Sequence, residues 1–111
     1  MPSYSRNDVV LVRYPFTDFS RHRVRPAVIV SARHESQDFF IVPLTSRTAS
    51  LLPGEFALSD WRAAGLHVAT AVKRGLYTIH QGLLIRAVGS LSRRDAEQLD
   101  RSLRDWLDLC E

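Results

Sequence analysis

Short apolar runs separated by turn residues fill most of the chain, and one helical periodicity takes over at its end. Val9-Val10-Leu11-Val12-Arg13-Tyr14 is rich in β-branched residues and stops at Pro15, where a ladder loses a donor; this predicts a strand. Ala27-Val28-Ile29-Val30-Ser31 and Phe39-Phe40-Ile41-Val42-Pro43-Leu44 are almost wholly apolar, as expected of strands buried on both faces in a small barrel. Gly54–Leu58 reads as a fourth strand and His67–Val72 as a fifth, while Leu83–Val88 fits a short helix and a strand equally. Beyond these, Ala96, Leu99, Leu103, Trp106, Leu107 and Cys110 recur at helical spacing and predict an amphipathic helix over about residues 93–109. Ser92 is its expected N-cap, with Asp95 completing a capping box. Asp100, Arg101, Arg104, Asp105 and Asp108 lie on the opposite face, where Arg101 and Asp105 are spaced to pair. Strands followed by one helix, without alternation, exclude a doubly wound sheet and predict a small α+β or barrel fold.

Length and charge narrow the picture. The 111 residues predict one domain spanning 1–111, and no apolar stretch approaches the ~20 residues of a membrane-spanning helix. The opening Met1-Pro2-Ser3-Tyr4-Ser5-Arg6 lacks the apolar run of a secretory signal, so the expected location is the cytoplasm. Cys110, the sole cysteine, allows no internal disulfide and reads as a packing residue. The formal charge of +3 is unevenly placed: residues 92–111 carry a net −2 and residues 1–91 a net +5. Of the fifteen basic residues, fourteen are arginine, densest at Arg21-His22-Arg23-Val24-Arg25. A planar guanidinium matches phosphate oxygens and stacks on bases, so this patch points to a polyanion, although a solvated loop explains it as well.

Enzyme signatures of the common kinds are missing. The five glycines are scattered and form no phosphate loop, His22, His34, His67 and His80 lack the spacing of a zinc site, and no serine sits in a nucleophile elbow. The expectation is therefore no metal and no cofactor. Polar residues at strand ends remain. Arg25-Pro26 opens the second predicted strand and Pro43-Leu44-Thr45-Ser46 closes the third. In an antiparallel pair these ends adjoin, bringing a guanidinium and two hydroxyls to one rim, a phosphate-sized site. Taken singly, each residue reads equally as a loop charge or a simple turn.

Three blocks carry a family resemblance: Asp8–Val12 running to Tyr14-Pro15-Phe16-Thr17-Asp18, Arg25-Pro26-Ala27-Val28-Ile29-Val30, and Val42-Pro43-Leu44-Thr45-Ser46. A fourth is Tyr77–Leu84 followed by Val88-Gly89-Ser90-Leu91-Ser92. In order and spacing these resemble the MazF/PemK toxin family over about residues 6 to 107. The resemblance implies a mostly β, α+β fold: a small Src-homology-3-like barrel of the CcdB/PemK type with a C-terminal helix, acting as a homodimer. It implies a sequence-selective, metal-independent, ribosome-independent endoribonuclease (mRNA interferase) toxin of a type II toxin–antitoxin system. Such a toxin cuts single-stranded RNA and is neutralised by a cognate antitoxin, for which an acidic, partly disordered segment is expected. The family's catalytic arginine falls on Arg25 and its catalytic threonine on Thr45, with Ser46 as a phosphate-contacting neighbour.

Around that pair, Thr17, Arg21, Arg23, Arg47, Lys73 and Arg74 are candidates to contact RNA phosphates, and each fits an ordinary solvated surface too. Phe16 and Tyr77 are stacking candidates, Phe16 reading more readily as buried. His22 is placed for proton transfer, whereas His80 reads as a turn cap and Trp61 and Trp106 as core or dimer-interface residues. Three departures from the family pattern stand out: Asn7 where a glycine is usual, a short arginine-rich loop after Pro15, and Tyr77 where many members have arginine. Two other readings stay open. One is a gyrase-poisoning toxin on the same barrel, although the chain ends Trp106-Leu107-Asp108-Leu109-Cys110-Glu111 and not in that branch's Trp-Gly-Ile. The other is a catalytically silent RNA-binding or regulatory module.

Overall fold

The computed structural model describes residues 3–14 and 23–109, Arg23 in its backbone alone. In chain order they form β1 (Asp8–Tyr14), β2 (Arg23–Ile29), β3 (Asp38–Thr45), β4 (Phe56–Ala57), β5 (Ala71–Val72) and β6 (Tyr77–His80). A 3-10 turn (Gln81–Leu83), β7 (Leu84–Ser90) and α1 (Arg93–Trp106) follow. Among the described residues no helix is long and apolar enough to cross a membrane.

The sheet rolls because its connections leave it no choice. Its strands run β6-β3-β2-β1-β7, every neighbouring pair antiparallel. Laid flat, the outer strands would be about 19 Å apart at ~4.8 Å per strand. The stretch from His80 to Leu84 can reach only about 14 Å at ~3.5 Å per residue. The sheet therefore curls around Val10, Val12, Tyr14, Ala27, Ile29, Ile41 and Ile79, which form one apolar cluster. No ladder joins β6 to β7 among the described residues, so the expected barrel is a rolled sheet bridged by the 3-10 turn. The outer face carries the second cluster, with Val9, Val28, Val42 and Leu44 covered by Leu99 of α1, and Ala96, Leu103 and Trp106 packed against it.

Two prolines open one end of the sheet. Neither Pro26 nor Pro43 carries a backbone N–H, and the ladder between β2 and β3 stops at Ala27 opposite Pro43. Beyond that pair, β3 turns to β5, with Leu44 opposite Val72 and Thr45 opposite Ala71. The tips of β2 and β3 are left to the site.

Several expectations need correction. Segments 54–58 and 67–72 supply only two strand residues each, Phe56–Ala57 and Ala71–Val72. Ahead of β5 the Thr70 hydroxyl donates to Val68 O at 2.8 Å, a local bond that competes with ladder formation. Tyr77–His80 is a strand the pattern did not reveal, since Ile79 is its one buried residue. The ambiguous 83–88 segment is both things: Leu83 ends the 3-10 turn and Leu84 begins β7.

The helix stops at Trp106, short of 109. Asp108 adopts φ 56°, its N–H donates to Asp105 O, and the Leu109 N–H donates to Arg104 O, the paired closure of a Schellman motif. Leu107 is consequently 48% exposed and leaves the apolar stripe, while Cys110 falls outside the described residues. At the other end Ser92 Oγ does accept from the Asp95 N–H at 3.2 Å. The capping box is not completed, because the Asp95 carboxylate turns away from Ser92. It accepts from the N–H groups of Ser59 and Asp60, both at 2.9 Å. Arg101 bonds Gln98 instead of Asp105, and the i,i+4 pairs that form are Arg93–Glu97 and Asp100–Arg104.

Asn7, the departure noted before Asp8, has φ 75°, a left-handed conformation that asparagine tolerates better than most non-glycine residues. Its N–H donates to Ile29 O and its carbonyl accepts from Leu91, so the turn ties β1 to β2 and to the approach of α1. Gly65 is less replaceable. It has φ +88°, and a Cβ there would collide with the carbonyl oxygen of Val88 on β7. Gly65→Ala is expected to lower stability by about 2–3 kcal/mol, combining left-handed strain with a backbone collision. Urea unfolding checks this, with a lower midpoint at unchanged slope.

Candidate active site

Antiparallel pairing brings the C-terminal ends of β1 and β3 and the N-terminal ends of β2 and β6 to the same end of the sheet. Residues directly opposite share a face. Arg25 lies opposite Val12, Ala27 opposite Pro43, and Ile41 opposite Tyr77. Alternation along each strand then puts Tyr14, Arg25, Thr45 and Tyr77 on one face, that of the inner apolar cluster, at its open rim. Arg25 and Tyr77 are exposed there, Thr45 is half-buried, and Tyr14 is buried at 6% exposure.

Thr45 stands between two cationic flanks. Arg25 approaches from β2 on one edge of β3. On the other edge β5 and β6 follow one another, and the loop joining them carries Lys73 and Arg74. The Lys73 N–H donates to Pro43 O at 3.0 Å, which pins this loop to β3. Gly75 lies close against Pro43 and Tyr77: an added Cβ would come within 3.0 Å of Tyr77 Cε2 and 3.3 Å of Pro43 Cδ. The Tyr77 ring is thereby held beside β3 while remaining 42% exposed.

Thr45 Oγ1 accepts from the Arg47 N–H at 3.1 Å, shaping the turn that exposes Ser46 and Arg47. A hydroxyl has one proton and two lone pairs, so this bond leaves the Thr45 proton to be donated outward. Among the described residues the side chains of Arg25, Arg47, Lys73 and Arg74 form no ion pair, whereas Arg6, Arg93 and Arg104 each do. Glu55 is the one carboxylate placed against the loop. Its oxygens accept from the N–H groups of Arg74 (2.8 Å) and Leu52 (2.7 Å). The bond from the Arg74 backbone, then that from Leu52, holds its carboxyl below the usual range. Glu55 thus fixes the loop backbone with both oxygens engaged.

The buried phenol of Tyr14 is the most perturbed group. Burial pushes its pKa up to about 12, the neighbouring Tyr77 adds to the rise, and the Arg25 cation opposes it. An unfolded tyrosine ionises near 10. Between these values the unfolded chain has lost a proton that the folded chain keeps, so stability falls as pH rises from about 10 towards about 12. In Tyr14→Phe that component of the alkaline fall should vanish, which thermal melts across this window measure.

Arg25, Thr45, Ser46, Arg47, Lys73, Arg74 and Tyr77 are therefore gathered at one rim. Phe16, Thr17, Arg21 and His22 lie outside the described residues, as does the Arg23 side chain. His80 caps the 3-10 turn, its Nδ1 accepting from Gly82. Trp61 and Trp106 pack against the outer cluster, and Trp106 Nε1 donates to Pro53 O. Sequence reasoning passed over Tyr14 and Glu55. The alternation of β1 was the available signal for Tyr14, since it shares the parity of Val10 and Val12.

Solved structures confirm the architecture. An endoribonuclease from a Mycobacterial species, solved in complex with its cognate antitoxin, superposes with a TM-score of 0.77 at 20% identity, covering 98% of this chain and 99% of that one. The Mycobacterium tuberculosis toxin MazF-mt6 gives 0.75 at 18% identity, covering 94% and 99%. A chain of the MazE–MazF complex from Deinococcus radiodurans gives 0.80 at 13% identity, covering 99% and 100%. At these identities the likeness is one of fold. No curated protein matches the sequence. The family of PemK-like, MazF-like toxins of type II toxin–antitoxin systems matches residues 5–107, nearly the whole of the rolled sheet and its covering helix, and the chain belongs to that family.

Proposed function

We propose that the protein is an endoribonuclease toxin acting on single-stranded RNA, with Arg25 and Thr45 as its catalytic residues. The observation that carries this reading is a threonine hydroxyl set between cations on both edges of β3, none of them ion-paired among the described residues. Fold relatives named as endoribonucleases support it. RNA supplies its own nucleophile, so the protein needs neither a serine or cysteine nor a metal. The 2′ oxygen bonds to phosphorus and releases its proton to water. The bond from phosphorus to the 5′ oxygen breaks, and that oxygen takes up a proton. A 2′,3′-cyclic phosphate and a 5′-hydroxyl result. Arg25 stabilises the charge that builds on the phosphorane, and Thr45 donates to a non-bridging oxygen.

Ser46, Arg47, Lys73 and Arg74 hold flanking phosphates, as do Thr17, Arg21 and Arg23 from the preceding loop, with His22 beside them. Tyr77 stacks on a neighbouring base. In this reading the whole of residues 1–111 is one toxin domain, acting in the cytoplasm as a homodimer. Its cognate antitoxin presents an acidic segment that orders over the arginines. Incubation of the purified protein with a long single-stranded RNA in EDTA tests the proposal. Discrete cleavage ending in cyclic phosphate supports it. RNA bound but uncut favours a silent binding module, and inhibited supercoiling with intact RNA favours a gyrase poison.

A further inference from the structure

Tyr14 occupies a place where phenylalanine would cost less. Its ring lies in the inner cluster with Val10, Val12 and Ile41, and its hydroxyl oxygen is enclosed by protein. Burying a hydroxyl in such surroundings is unfavourable by itself. The groups in electrostatic reach of that oxygen are Arg25 and Tyr77, one from each flank of the site. Tyr14 has no exposed surface with which to contact RNA.

We propose that Tyr14 is a positioning residue of the RNA-cleaving site: its enclosed phenol fixes the bearing of the Arg25 guanidinium and of the Tyr77 ring. This rests on the endoribonuclease reading and deepens it. A phenol has one proton to donate and lone pairs with which to accept, so it serves a cation on one side and a second hydroxyl on the other. Held protonated far above neutrality, it also brings no negative charge beneath a site that must attract phosphate. The geometry explains why the two flanks act together although they stand on different strands. Arg25 depends on β2 and Tyr77 on β6, and Tyr14 of β1 reaches both.

The test compares wild type, Tyr14→Phe and Tyr4→Phe under steady-state conditions on one RNA. Tyr4 is the control: it packs edge-on against Phe39 on the same inner cluster, with ring centroids 5.9 Å apart. Tyr14→Phe is expected to lower kcat about 10-fold, because small misplacement of a charged group is costly in the transition state. KM should stay within about twofold and Tm within about 2 °C of wild type, and Tyr4→Phe should change neither kcat nor KM. A Tyr14→Phe kcat within twofold of wild type overturns the inference. So does a kcat loss that tracks a fallen Tm and recovers on cooling, which assigns the phenol to folding alone. Wild-type protein that leaves RNA intact overturns the nuclease reading, and this inference with it.

Discussion

Arg25→Ala is expected to reduce RNA cleavage by about 10³-fold or more, the scale of losing the main charge stabiliser of a transition state. Arg25 is exposed at the sheet rim and forms no ion pair among the described residues. Its removal should therefore leave Tm almost unchanged, and the loss should fall on kcat more than on KM. Arg25→Lys keeps the charge and loses the fork, so activity should recover only in part. Thr45→Val removes one donor and should cost less, about 10²-fold. It should also loosen the 45–47 turn, because Thr45 Oγ1 is the acceptor for the Arg47 N–H. Single-turnover cleavage of one RNA by each variant, beside a thermal melt, measures both consequences.

The largest effect on stability belongs to Asp95, a residue with no part in the chemistry. Its side chain is 1% exposed and accepts from the Ser59 and Asp60 N–H groups. It also sits in the first turn of α1, where the unpaired N–H groups of the helix favour a negative charge. Hydrogen bonds to a charged acceptor contribute about 1.5–3 kcal/mol each, so Asp95→Ala should cost about 4 kcal/mol. For a domain of this size that is a fall in Tm on the order of 15 °C or more. Asp95→Asn keeps the volume but retains only one acceptor oxygen, and should cost roughly half as much. Denaturant unfolding of the three proteins gives the series directly. The effect should reach beyond the helix, because the same carboxylate anchors the loop that Gly65 lays against β7.

Local rules made part of this fold readable. The β-branched run of β1 and the apolar runs of β2 and β3 announced their strands, and the Ser92 cap and the Leu99 stripe announced the helix. What stayed hidden depended on tertiary partners. Ile79 is the single buried residue of β6, too little to show a period, and that strand exists because β3 offers it an edge. Asp95 has the spacing of a capping box, yet a distant loop placed its N–H groups nearer than Ser92 did. The site divides in the same way. Arg25 and Thr45 were legible as polar residues at strand tips, sharpened by the family likeness. Tyr14 was not, because a tyrosine ending an apolar run looks like any core aromatic until β2 and β6 bring Arg25 and Tyr77 towards it. Nor was Glu55, whose role depends on where the 73–76 loop comes to rest.

The most direct measurement uses an RNA carrying one 2′-deoxynucleotide immediately 5′ of the cleaved bond. If substrate 2′-OH attack at this rim is the reaction, that bond should survive while bonds at unmodified copies of the same sequence are cut. Cleavage at the deoxy position at the normal rate would mean that the nucleophile comes from elsewhere, and the roles assigned to Arg25 and Thr45 would be wrong.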